Sequence, residues 1–303
     1  MGHRFLWACS LVLAVGAIAL LVLPARSSSA HSERSAMPGM DHGMAGMPGA
    51  VSSGVTGMAG MPGMTTGEGL AAEHDGYRLD SRATGLPVGQ AVSYPFTVMG
   101  PDGKPVTDFA EVQSERLHFY AIRSDLTGYQ HLHPTMAADG TWTADLAALE
   151  PGDWRLYASF TPNTGPRKGG EFVLSRTVTV PGDANPAPLP AATDSTTVDG
   201  YTVAVRGDLT AGTAGPLTAT ISENGRPVTD LQPYLDSYAH LSAFHEGDQA
   251  LAHLHPITRV DGDHGGPTLS FYALLGKPGN WRVYLQFQTD GRVHTAVLTL
   301  RVG

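Results

Sequence analysis

Cysteine is nearly absent from this chain: there is one in 303 residues, Cys9, and it lies inside the first apolar run. Once that run is removed, the protein can form no disulfide and cannot supply the His/Cys ligand set of a blue-copper electron-transfer site. Lysine is scarce as well, at three of nineteen basic residues, against twenty-eight acidic ones. A formal charge of −9 argues against a nucleic-acid partner, because binding phosphates requires a cationic surface. No long stretch beyond the N-terminal run shows helical periodicity. Also missing are a Ser/His/Asp order and a glycine-rich phosphate loop, so neither nucleophilic hydrolysis nor phosphoryl transfer has a visible carrier.

The one long apolar run is Phe5 to Leu23, preceded by His3-Arg4 and followed by Pro24, Arg26 and a small-residue stretch ending Ser28-Ser29-Ala30. Residues 1–30 therefore read as a signal peptide cleaved before His31. The run is 19 residues long, close to the roughly 20 that span a bilayer, so an uncleaved N-terminal anchor is the alternative. Either way the remainder is expected outside the cytoplasmic membrane, secreted or held on its outer face, and the membrane is a partner only through an uncleaved segment. Cys9 lies too near the N-terminus for a lipoprotein signal. Without residues 1–30, 17 basic and 28 acidic residues remain, a net charge of −11.

Residues 31–74 are poor in aromatic and branched apolar side chains and read as a disordered arm rich in Met, His and Gly. Met37, Met40, Met44 and Met47, with His42 among them, are followed by Met58, Met61 and Met64, all separated by glycine, proline and alanine at spacings of mostly three or four. A flexible backbone can fold such thioethers around one soft ion, and thioethers favour Cu(I). Expansion of a Met-Pro-Gly or Met-Ala-Gly repeat without selection for binding is the bland alternative. His31, if it is the mature N-terminus, adds an amine and an imidazole.

Six of the thirteen histidines form two triads of one spacing: His118, His131, His133 and His240, His253, His255. Each ends in His-Leu-His-Pro, and the copies are offset by 122 residues without a gap from Pro105-Val106-Thr107-Asp108 to Pro134, matching Pro227-Val228-Thr229-Asp230 to Pro256. The offset indicates a duplicated domain, and the length allows roughly two. In the second copy Tyr238–Phe244 and Gln249–His255 read as strands joined by a two-residue hairpin loop at Gly247-Asp248. Pairing Glu246 with Gln249 then sets Ser242 against His253 and His240 against His255. Cross-strand neighbours lie about 5 Å apart at Cβ and alternate residues share a face, so three imidazoles converge on what is expected to be a solvent-facing surface. The first copy implies the same, with His118 opposite His133. Imidazole suits Zn, Cu, Fe and Ni and ligates only when neutral, so affinity is expected to weaken as pH falls through about 6.5.

About seven short strands per copy, divided by Gly, Pro and Asp turns, predict two tandem immunoglobulin-like β-sandwiches, an all-β chain. In the first, residues 75–182, the strands are Tyr77–Asp80, Ala91–Val98, Arg116–Ile122, Tyr129–His133, Thr141–Asp145, Trp154–Phe160 and Phe172–Val180. A Pro-rich linker, 183–197, is expected to act as a semi-rigid spacer before the second repeat, 198–303. Trp154 and Trp281, in the matching Pro-Gly-Asp-Trp-Arg and Pro-Gly-Asn-Trp-Arg motifs, read as core anchors. His245, His264 and His294 have no histidine counterparts and are expected on the surface, His264 being the one placed to serve as an accessory ligand. Asp261 and Asp263 offer too few oxygens for calcium.

Leu117-His118-Phe119, Asp125-Leu126-Thr127-Gly128-Tyr129-Gln130-His131-Leu132-His133-Pro134 and Leu251-Ala252-His253-Leu254-His255-Pro256 together resemble a family of exported, mostly actinobacterial proteins loosely described as secreted or heavy-metal-binding. The resemblance covers both repeats and implies an extracytoplasmic location and metal handling, without a defined activity. The arm is similar in type to the Met-rich segments of exported copper-resistance proteins.

Three readings follow. The first is a non-enzymatic extracytoplasmic copper-binding protein, with zinc as the alternative ion, whose arm and triads sequester or deliver metal, in exchange with another exported metal-handling protein. The second is a structural or interaction protein with hydrogen-bonded histidines. The third is a zinc- or copper-dependent enzyme, since three histidines and an open position also describe a catalytic zinc site. Deleting residues 31–70 is expected to leave both domains folded and to lower Cu(I) stoichiometry. Competition with a chromogenic chelator measures this, and equal stoichiometry would remove the arm from the ligand set.

Overall fold

The computed structural model describes residues 68–303, and no helix occurs among them. The first repeat contains β1 (Glu73–His74), β2 (Tyr77–Asp80), β3 (Val92–Met99), β4 (Leu117–Arg123), β5 (Gln130–Leu132), β6 (Thr135–Met136), β7 (Thr141–Leu146), β8 (Gly152–Phe160) and β9 (Phe172–Val180). The second contains β10 (Ser195–Val198), β11 (Tyr201–Arg206), β12 (Gly215–Glu223), β13 (Arg226–Pro227), β14 (Ala239–His245), β15 (Leu251–Pro256), β16 (Thr268–Ala273), β17 (Gly279–Thr289) and β18 (Arg292–Val302). The chain is thus a pair of immunoglobulin-like β-sandwiches, as the short alternating segments predict. The apolar run Phe5 to Leu23, Met37, Met40, His42, Met44, Met47, Met58, Met61 and Met64 lie outside the described residues. Among the described residues no helix is long and apolar enough to cross a membrane.

In the first repeat a sheet of order β5-β4-β8-β9 packs on one of order β1-β2-β3-β7-β6. Phe96, Phe119, Trp142 and Trp154 fill the space between them. In the second repeat the two corresponding sheets are joined by one strand, β15. It pairs with β14 from Phe244↔Leu251 to Leu241↔Leu254, then with β16 through His255↔Tyr272 and Pro256↔Phe271. Trp154 and Trp281 are core anchors, each donating its indole N–H to the carbonyl four residues back, Glu150 at 2.9 Å and Lys277 at 3.0 Å.

The two repeats are not held apart. Strand β4 puts Leu117, Phe119 and Ala121 into its own core and turns His118, Tyr120 and Ile122 the other way, yet that second face is buried too. Tyr120, Ile122, Leu126, Tyr157 and Val173 pack with Phe244, Leu251 and Tyr284 in one apolar cluster spanning both repeats. Tyr129 stacks on Tyr284 at 4.1 Å between ring centroids. The hydrogen bonds across this contact are reciprocal: Tyr284 donates to the carbonyl of Leu126 at 2.6 Å, and Tyr157 to that of Gln249 at 2.5 Å. Each of these tyrosines lies three residues beyond the core tryptophan of its strand and reaches the hairpin turn of the other repeat. The linker expected to act as a spacer is itself docked, with Ala187 N–H on Asp125 at 2.8 Å and Leu189 against the shared cluster.

Two local expectations need correcting. The β14–β15 register is the predicted one, but the turn is longer than a two-residue loop. His245 N–H donates to Ala250 at 2.9 Å and Gln249 N–H to His245 at 3.0 Å, with Gln249 at φ +62°. The Asp248 carboxylate drives this, accepting from Ala250 N–H at 3.0 Å, from Lys277 and from the His245 ring. Residues 68–74, assigned to the arm on composition, are also ordered. Glu68 C=O accepts from Leu251 N–H of the second repeat at 2.9 Å, and Gly69 C=O from the Ser175 hydroxyl of the first at 2.5 Å. A deletion meant to spare the domains therefore has to stop at residue 67.

Gly69 sits at φ +66°, where a Cβ would lie 2.7 Å from Val173 Cγ1 and 2.9 Å from Tyr157 Cδ1. Gly69→Ala is therefore expected to cost about 1–3 kcal/mol through overpacking and backbone strain. Urea denaturation would measure it, and an unchanged midpoint would mean that residues 68–72 are not part of the fold.

Candidate metal centre

The duplication sets up each central histidine with the same local device. Val112 and Glu115 close a tight turn through a reciprocal pair of backbone hydrogen bonds, and Tyr234 and Ser237 do the same one repeat later. Both central residues of each turn have positive φ: Gln113 at 52° and Ser114 at 63°, Leu235 at 53° and Asp236 at 54°. Such turns normally carry Asn or Gly, so non-glycine residues here, Leu235 above all, hold strain. The turns aim a carbonyl at a ring. His118 Nε2 donates to Val112 O at 2.9 Å and His240 Nε2 to Tyr234 O at 2.9 Å. Donation from Nε2 makes Nδ1 the lone-pair nitrogen of both neutral rings.

Around His118 the first triad assembles as predicted. His131 pairs with Tyr120 on the neighbouring strand and stacks on its ring at 4.6 Å. His133 follows at the end of β5, its ring 5.2 Å from that of His118 and 4.7 Å from that of His131. One ligand nitrogen from each of the three can be chosen so that all lie within 4.8 Å of one another, so the group can hold a metal ion. His133 Nε2 is buried and has no hydrogen-bond partner among the described residues, while its Nδ1 is 4.0 Å from Glu115 Oε1.

The closest contact carries the chemistry. His118 Nδ1 and His131 Nε2 are 3.1 Å apart, and His131 Nδ1 is 2.8 Å from Gln286 Oε1 of the second repeat. With the Gln286 oxygen toward the ring, His131 donates from Nδ1 and its Nε2 is also a lone pair. Two imidazole lone pairs then face each other, an arrangement that needs a cation between them. A proton is disfavoured, because burial, followed by the neighbouring His118 and His133, pushes His131 well below the ordinary imidazole range. Burial likewise lowers His133 to about 4.

His118 and His240 do not face solvent as expected: they are 3% and 1% exposed, because the second sandwich covers the first. In the second repeat the ladder stops one step before the predicted His240–His255 pair. His253 lies opposite Ser242 as predicted, His255 opposite Tyr272 in β16, and His240 opposite Gln286 in β17. The His240 ring is 6.1 Å from that of His131, across the repeat boundary. His294 is not on the surface but buried, with Asp199 at 2.8 Å on one nitrogen and Thr289 at 2.9 Å on the other. His245 is partly buried against Trp281 and bonded to Asp248 at 2.7 Å. His264 is exposed and paired with Asp263 at 2.8 Å, outside the triad. Sequence reading missed Gln286, whose counterpart opposite His118 is Ser159, and it missed the two carbonyl-bearing turns.

A family model described as a domain of unknown function (DUF8832) matches twice, over residues 72–178 and 196–303. No curated protein matches the chain. Similar solved structures include a Salmonella alpha-2-macroglobulin mutant, at 10% identity and TM-score 0.27 over 75% of this chain and 16% of that one. Others are Yersinia pseudotuberculosis InvD, at 15% and 0.25 over 75% and 58%, and the Ig1-2 module of a Drosophila receptor protein tyrosine phosphatase, at 10% and 0.21 over 75% and 98%. The chain spans less than two thirds of the first two, and these scores carry no functional argument.

Because the unfolded chain takes up a proton on His133 at an ordinary imidazole pKa of about 6.5 and the folded chain only near 4, the metal-free fold is expected to lose stability as pH falls between those values. Urea midpoints at several pH values would show the slope. A His133→Gln variant should flatten it, and an unchanged slope in that variant would place the titration elsewhere. The same burial moves the loss of metal affinity below the expected pH window.

Proposed function

We propose, for a chain that belongs to the DUF8832 family, that His118, His131 and His133 hold a metal ion outside the cytoplasmic membrane, with copper as the ion and sequestration or delivery as the role. The observation that carries this reading is the 3.1 Å approach of His118 Nδ1 to His131 Nε2, each the lone-pair nitrogen once its other nitrogen donates to an oxygen. Metal-binding histidines are commonly oriented in this way by a hydrogen bond from the non-ligating nitrogen. The ion would supply the positive charge that this pair lacks. Copper is supported by Met37, Met40, His42, Met44, Met47, Met58, Met61 and Met64, whose thioethers suit Cu(I), while imidazoles alone accept Cu(II) and Zn(II) alike. The leader-like residues 1–30 support the location, and an exported metal-handling protein is the fitting partner.

A second reading is favoured by the same bonds. With the Gln286 amide turned over, its NH2 donates to His131 Nδ1, His131 donates to His118, and His118 to Val112, a closed chain needing no ion. The histidines are then structural.

Metal analysis of the His118→Ala/His133→Ala variant separates the two. Loss of about one bound ion per chain relative to the parent supports the metal centre. Unchanged metal content with metal-free stability lower by about 1–3 kcal/mol per stranded partner leaves the structural chain as the answer.

A further inference from the structure

We propose that the centre is shared between the repeats: His240 supplies a fourth imidazole to the ion on His118, His131 and His133, while Gln286 acts from the same repeat as a positioning residue for His131. This rests on the metal reading above and extends it, because the ion then staples one sandwich to the other.

Four observations support the assignment. Gln286 and His240 are cross-strand neighbours on β17 and β14, so one hydrogen-bonded pair of residues brings both to the boundary. The His131–His240 ring separation of 6.1 Å is within about an ångström of the 5.3 Å between His118 and His131, so a small ring movement closes the set. His240 carries the same carbonyl bond as His118, from Nε2 to the turn before its strand, so the two rings are held by one device. Finally, Tyr120 stacks on His131 and also belongs to the apolar cluster that joins the repeats, so anything that fixes His131 bears on that packing. Four neutral imidazoles match the tetrahedral coordination of Zn(II) or Cu(I), and Glu115, 4.0 Å from His133, offers a countercharge.

The test uses the whole chain with Zn(II) as probe, since thioethers of the arm compete poorly for that ion. A chelator-competition titration is expected to find one tight site per chain. Gln286→Leu should weaken it about 10- to 100-fold and Gln286→Glu should restore it, as expected for groups that orient a ligating histidine. His240→Ala should weaken it at least as much. Hydrogen exchange gives a readout that survives if His240→Ala misfolds: Zn(II) should slow exchange across Ala239–His245 in the parent and fail to do so in His118→Ala/His133→Ala. Two independent sites, one lost and one untouched in His240→Ala, would overturn sharing, as would slowed exchange that persists in the first-repeat double variant. A parent chain that binds no Zn(II) would instead overturn the metal reading itself, and sharing with it.

Discussion

The histidine cluster depends on the burial of a second face on each of two sheets. An immunoglobulin-like sheet ordinarily turns one face to its core and the other to water. Here the outward faces of β4 and β8 and of β14 and β17 meet, with Tyr129, Tyr284, Phe244 and Tyr157 interlocked between them. Removing water from this layer is favoured by the apolar area covered. The same step leaves His118, His131 and His240 in a medium where an imidazolium is costly and a mispaired lone pair cannot be relieved by solvent. Each ring must then be satisfied by protein groups or by an ion.

Those protein groups are few and directional. The Val112 and Tyr234 carbonyls fix one nitrogen on each central ring, at the expense of positive φ in non-glycine turn residues. Strain of that kind persists only where the surroundings over-determine it. The remaining nitrogen of His118 faces His131 at 3.1 Å, and the Gln286 amide decides how that chain of donors and acceptors resolves. A single carboxamide on β17 thus separates a closed hydrogen-bond chain from a ligand set.

Much of this was legible from the chain. The period-two spacing of His131 and His133, the 122-residue offset and the place of His118 across the hairpin were sufficient for the first triad. The tryptophan motifs were sufficient for the core. What lay hidden has physical causes. Leu117-His118-Phe119-Tyr120-Ala121-Ile122 lacks the polar alternation of a half-wet strand, a signal of burial on both faces that the histidine obscured. Gln286 could not be found by the duplication, because Ser159 occupies the matching site. The departure of β15 to β16 after Leu254 is a tertiary choice, and the type of turn at Gln113-Ser114 and Leu235-Asp236 runs against residue preference. Composition placed residues 68–74 in the arm because much of what holds them is backbone carbonyls, at Glu68, Gly69 and Ala71, which no side-chain pattern reports, while Leu70 is a single apolar residue against the second core.

The paired bonds from Tyr284 to Leu126 and from Tyr157 to Gln249 have a further meaning. Equivalent surfaces that grip each other reciprocally are the mark of an isologous contact, the kind that relates two copies of one subunit about a dyad. A single chain has no need of such symmetry. Here both partners are in one chain, so the contact is intramolecular and its formation does not depend on protein concentration. Two halves of one chain need not be identical, and Gln286 opposite His240 with Ser159 opposite His118 is such a difference, lying beside the central histidines.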